Sequence, residues 1–112
     1  MSDSEKLIEI AGALLARTKA REPLWSETAK ENEFVTSLES FTVKIVSEYP
    51  EPSHRLAIVN QNGRPIALLR TDQRSSTDNA ILRDLYSLAR RQALKIDESL
   101  DSILAQVKRQ AN

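Results

Sequence analysis

The stretch LAIVNQNGRPIALL, residues 56–69, decides how this chain is read. Asn62-Gly63 at its centre is a strong hairpin signal, because a type I′ turn needs positive φ at both central residues. With those two as the loop, Gln61 pairs with Arg64, Asn60 with Pro65, Val59 with Ile66 and Ala57 with Leu68. Pro65 then has no amide to offer a strand outside it, so its strand is expected at a sheet edge, at least near the turn. The arms break the usual pattern of a sheet with one wet face. Leu56, Ala57, Ile58 and Val59 are all apolar, and so are Ile66, Ala67, Leu68 and Leu69. One set, Ala57, Val59, Ile66 and Leu68, points to one side. The alternate set, Leu56, Ile58, Ala67 and Leu69, points to the other. Burying roughly a few hundred Å² of such surface contributes several kcal/mol at about 25 cal/mol per Å². A helix on each face, a second copy of the chain, or a different protein would cover the second side. A face left uncovered marks an interaction site.

Upstream of the hairpin, SDSEKLIEIAGALLARTKAR reads as a helix. Ser2 and Glu5 fit a capping box, and Leu7, Ala11, Leu14 and Thr18 share one side with Ile10 beside them. Gly12 weakens this helix and fits a close packing contact. Pro23 ends it, and LWSETAKENE is expected to be mostly irregular. From Phe41 the period changes to two: Phe41, Val43, Ile45, Ser47 and Tyr49 face one way, Thr42, Lys44, Val46 and Glu48 the other. Phe34, Thr36 and Leu38 alternate in a short preceding strand, and PEPSH is expected to be a loop. Downstream, Asp78 is the expected N-cap of a helix striped by Ile81, Leu85 and Leu88 and widened by Leu82 and Ala89. Ile96, Leu100, Ile103 and Val107 stripe another helix, with Leu104 adjoining and Asp97 as its expected N-cap. A break or bend falls near Lys95, one continuous helix being the alternative.

These elements predict a single α+β domain over residues 1–112: an N-terminal helix, an antiparallel meander of two or three strands, and two C-terminal helices or one bent helix. A chain of 112 residues is long enough for one core. Its 16 basic and 16 acidic side chains leave no net charge, which argues against a dedicated nucleic-acid or membrane-surface protein. Cysteine is absent, so disulfide and thiol chemistry are excluded. The acidic start, MSDSEKLIEI, lacks a signal-peptide core, and no run approaches the roughly 18 apolar residues of a membrane span. A cytoplasmic protein is expected.

Groups that could do chemistry are sparse. His54, the sole histidine, follows Ser53, but neighbours in an extended chain point opposite ways and no third partner is set by spacing, so an ordinary histidine is the better reading of a nucleophile pair. Asp97 and Asp101 lie four apart, as do Glu5 and Glu9, and Glu27 and Glu31. Without His or Cys beside them these acids make a thin metal site and read as helix caps or solvated faces. One turn glycine does not make a phosphate loop. Arg83, Arg90, Arg91 and Lys95, with Arg70 and Arg74 near in sequence, could lie on nucleic acid, but Asp84 dilutes the charge and few aromatics are available for stacking. Trp25, the sole tryptophan, either closes one end of the core or anchors a partner.

The segments PLWSET, EFVTSLESFTVKI, RLAIVNQNGRPIALL and LRDLYSLARRQALKIDESLDSILAQV together resemble short bacterial α+β proteins of unknown function. The resemblance spans most of the chain. It implies this element order and a bacterial, cytoplasmic origin, and it supplies no catalytic residue. The expectation is therefore a non-enzymatic protein–protein interaction or regulatory module without cofactor or metal, with itself or another protein as partner and a homodimer among the arrangements. Ala57, Val59, Ile66, Leu68 and Trp25 are its candidate contact residues. The alternatives are nucleic-acid binding through the helix over residues 83–95 and, less favoured, a small hydrolase using His54 or the carboxylates.

Overall fold

The computed structural model describes residues 3–48, 53–71 and 76–110. Helix α1, Asp3–Lys19, buries Leu7, Ala11, Leu14, Leu15 and Thr18, so the helical period operates as read, with Leu15 rather than Ile10 widening the stripe. It stops on Arg21, whose φ of 65° is left-handed. The Arg21 amide donates to the Thr18 carbonyl and the Glu22 amide to the Arg17 carbonyl, the paired bonds of a Schellman ending. The expected cap residue Ser2 lies outside the described residues, as do Tyr49 and Arg74.

Among the described residues five strands follow rather than two or three: β1 (Ser26–Glu27), β2 (Glu33–Ser37), β3 (Phe41–Glu48), β4 (Ser53–Asn60) and β5 (Pro65–Arg70). They form one antiparallel sheet in chain order, a meander with β1 and β5 at its edges. The expectation for Pro65 is met, since β5 is an edge. Two corrections concern segments read as irregular. Ser26 and Glu27 pair with Val35 and Phe34, a bridge too short to carry any alternation. Ser53 and His54 belong to β4 and pair with Glu48 and Ser47, so they are not part of a loop.

The hairpin turn also differs from the expected type I′. Only Gly63 has positive φ, +81°, and the Gly63 amide donates to the Asn60 carbonyl. The Asn60 side-chain oxygen accepts from the Asn62 and Arg64 amides at 3.0 Å each. This is a three-residue loop with glycine at the left-handed position. It pairs Val59 with Pro65 instead of Ile66. A bulge between Ile58 and Val59 then absorbs one residue, so Ala57 still faces Leu68 as expected.

Helix α2, Ser76–Ala93, packs across the sheet, and α1 packs on α2 and on β5. Both lie on one face. The core there joins Leu7, Leu14, Leu82 and Leu85 to Phe34, Val43, Ile45, Leu56 and Leu69. Asp78 sits inside the first turn of α2, which already begins at Ser76, so it is not the cap of that helix. Lys95, left-handed at φ 53°, separates α2 from α3, Ile96–Gln110, so the last segment is two helices. Asp97 is inside the first turn of α3, ion-paired with Arg91, rather than its cap.

The segment between α1 and β1 is tied down by one side chain. The Gln92 carboxamide oxygen accepts from the Leu24 and Trp25 amides at 2.8 Å each, and its nitrogen donates to the Glu22 carbonyl at 2.7 Å. Replacing Gln92 with Ala strands two amides and a carbonyl, each costing about 1–3 kcal/mol where water cannot reach it. Urea unfolding should show a loss of at least about 2 kcal/mol for this variant, on the scale of those groups. The two glycines should respond with opposite signs. Gly12 has open space at its Cβ position and no positive φ, so the expected close contact there is absent. Gly12→Ala should gain about 0.5–1 kcal/mol, whereas Gly63→Ala should lose about 1 kcal/mol to left-handed strain.

Candidate interaction surface

Because both packed helices take the same side of the sheet, the hairpin's two apolar sets have different fates. Leu56, Ile58, Ala67 and Leu69 face the helices and belong to the core or pack against it. Ala57, Val59, Ile66 and Leu68 share the outer side. A helix on each face is therefore not how the second side is covered. On that side Val59 is buried and Ala57 half-buried, while Ile66 and Leu68 remain 52% and 49% exposed. Trp25 is not with them. It is buried in the core, and its indole N–H donates to the Thr18 hydroxyl at 2.9 Å, which in turn donates to the Leu14 carbonyl at 2.7 Å.

Charge breaks up the rest of the outer side. Lys44 is the cross-strand neighbour of Ala57 and lies 3.9 Å from the buried Glu33 carboxylate. Arg55 and Arg70, themselves paired across β4 and β5, converge on Glu48 at 3.3 and 3.8 Å. The exposed part of the hairpin's outer apolar set is thus Ile66 and Leu68, on the β5 edge.

A larger apolar stripe lies on α3. Leu100, Ile103, Leu104 and Val107 are exposed by 54, 55, 53 and 57%. The packing of α3 against the rest of the chain is concentrated on α2. The dimensions agree with a projecting helix: the radius of gyration is 16.0 Å, against about 13 Å for a compact domain of this length. The spacing that showed the stripe in the sequence carried no information on whether anything covers it. Between α3 and the end of α1 runs a shallow cleft of about 670 Å³. Arg21, Arg91 and Lys95 line it together with Asp97, Glu98 and Asp101, so neither sign of charge dominates.

His54 is engaged in packing against an aromatic neighbour. The His54 ring lies 5.2 Å from the Tyr86 ring, which lies 5.7 Å from Phe34, and the Tyr86 hydroxyl donates to the Asn32 side chain at 3.3 Å. The His54 backbone amide donates to the Thr71 hydroxyl. Burial, and secondarily the positive charge of Arg83, hold the His54 imidazole below its ordinary value. Burial raises the Tyr86 phenol, with Arg90 acting weakly against it. No cluster of three or more metal-ligating side chains occurs among the described residues. In the basic helix, Arg91 is paired with Asp97 and Arg83 lies 3.5 Å from Asp84. No described helix is long and apolar enough to cross a membrane. Compared with protein-family models, curated proteins and solved structures, the chain matches none.

The His54 environment sets a pH dependence. The folded state takes up a proton on His54 less readily than the unfolded chain does. Stability should therefore be full above about pH 6.5, the unfolded value, and fall as pH drops from there towards the lower folded value. Urea unfolding between about pH 7.5 and about pH 5.5 should show this decline, and His54→Phe should flatten it across the histidine range. An equal slope in the variant would assign the decline to other groups.

Proposed function

We propose that this protein is a non-catalytic interaction module that works as a homodimer, with α3 as its joining element. The observation that carries the reading is the exposed stripe of Leu100, Ile103, Leu104 and Val107 on a helix with little packing of its own. Residues 96, 100, 103 and 107 follow the 4-3-4 spacing of a helix-to-helix seam. Such a seam is self-complementary, so a second copy supplies the matching surface without any further partner. Covering roughly a few hundred Å² of it is worth several kcal/mol before the entropic cost of association. The packing role of His54 and the ion pairing of Arg91 favour this reading over hydrolysis or nucleic-acid binding.

Sedimentation through the micromolar range tests it. The protein should sediment as a dimer. Ile103→Glu combined with Leu104→Glu should yield a monomer whose urea midpoint matches that of the parent diluted below its dissociation constant, because neither side chain belongs to the core. A parent that remains monomeric throughout overturns the reading.

A further inference from the structure

We infer that the two copies pair their α3 helices antiparallel, so that each chain's body lies at the opposite end of the helix pair. The inference rests on the reading that α3 joins two copies and specifies how it does so. Its first support is the distribution of charge along α3. Asp97 and Glu98 stand in the first turn, with Asp101 just beyond, and Lys108 and Arg109 stand in the last. Parallel pairing gathers the acids of both copies at one end and the bases at the other. Antiparallel pairing sets each acidic end beside the other copy's basic end, and it also opposes the helix dipoles.

The second support is steric. α3 begins at its junction with α2 and runs about 22 Å at 1.5 Å per residue. Paired helix axes lie roughly 8–10 Å apart. The chain measures 31 and 28 Å across its two shorter axes. Parallel pairing would crowd two bodies of that width against a single end of so narrow a pair. Antiparallel pairing separates them by the length of the helix. The seam then forms four layers in which Ile96 meets Val107 of the other copy and Leu100 meets Ile103.

Introduced cysteines read the direction directly, because the chain has none of its own. Two preparations of the full chain, one Ile96→Cys and one Val107→Cys, are confirmed as dimers under reducing conditions, mixed, and oxidised. Antiparallel pairing places residue 96 opposite residue 107, within the ~4 Å between Cβ atoms that a disulfide requires. It holds each introduced thiol about 16 Å from its own kind, eleven residues at 1.5 Å each. The mixture should therefore form the mixed disulfide, and neither variant alone should cross-link. Disulfides within each separate variant would show parallel pairing and overturn this inference while leaving the α3 homodimer standing. Dimers that cross-link in neither experiment would overturn it by removing this seam from the interface. Monomers in every preparation would overturn the homodimer itself.

Discussion

The covering of only one sheet face is the constraint from which the rest of this structure follows. Strand β3 contributes Val43 and Ile45, β4 contributes Leu56, and β5 contributes Leu69 to a single apolar floor. α2 crosses that floor and α1 fills the space beside it over β5. Once Leu82, Leu85 and Ala89 of α2 and Leu7, Ala11 and Leu14 of α1 are seated, the floor is occupied. The third helix follows α2 after a left-handed residue, and its apolar stripe is left outside this packed layer. The outer sheet face does not take it either, since Lys44, Arg55, Arg70 and Glu48 occupy much of that side.

How much of this was legible in the residues depends on the range of the interaction involved. The stripes of α1 and α2 and the alternation in β3 are local and periodic, and their centres act as read: Leu7, Ala11 and Leu14, Leu85, and Val43 and Ile45 are buried, while Phe41 at the start of β3 is exposed and Val46 on its other side is buried. The hairpin shows the limit of a local rule. Asn62-Gly63 reads locally as the whole loop, but Asn60 is the residue that selects the turn. Asn is favoured at the first position of a type I turn, and here its side chain accepts two of the loop's amides. The longer loop displaces the pairing by one residue, and the bulge restores it, so Ala57 opposite Leu68 emerged through a different route from the one supposed. The helix endings are legible in position, from Pro23 and from the break near Lys95, but not in conformation. Arg21 and Lys95 adopt the left-handed conformation without being Gly or Asn, so neither announces itself.

The candidate surface was legible as pattern and illegible as exposure. Nothing in the spacing of residues 96, 100, 103 and 107 distinguishes a helix packed in a core from one left outside it. That distinction depends on contacts remote in sequence. Gln92 binds backbone at Glu22, Leu24 and Trp25, between 67 and 70 residues away. This clamp draws Trp25 into the core and removes it from the outer surface where a partner could reach it. Ile66 and Leu68 lie on the hairpin's second side, a place that strand alternation shows, and they are exposed there.

The stability of α3 itself connects its exposure to its use. Isolated helices shorter than about 12–15 residues are marginal in water even with helix-favouring sequences. At 15 residues, α3 is at that limit, and little packing supports it. Its acidic first turn and basic last turn each add a few tenths of a kcal/mol or about 1 at most, which lowers the cost of helix formation without anchoring the helix to anything. The remaining resource is the stripe, and its contribution is realised only when it is covered. A surface that covers Leu100, Ile103, Leu104 and Val107 therefore binds and orders the same segment in one step. For such a helix the strength of association and the firmness of the fold are a single quantity. Under the proposed homodimer, the apolar stripe on this poorly packed helix is half of an interface and not a weakness of the monomer.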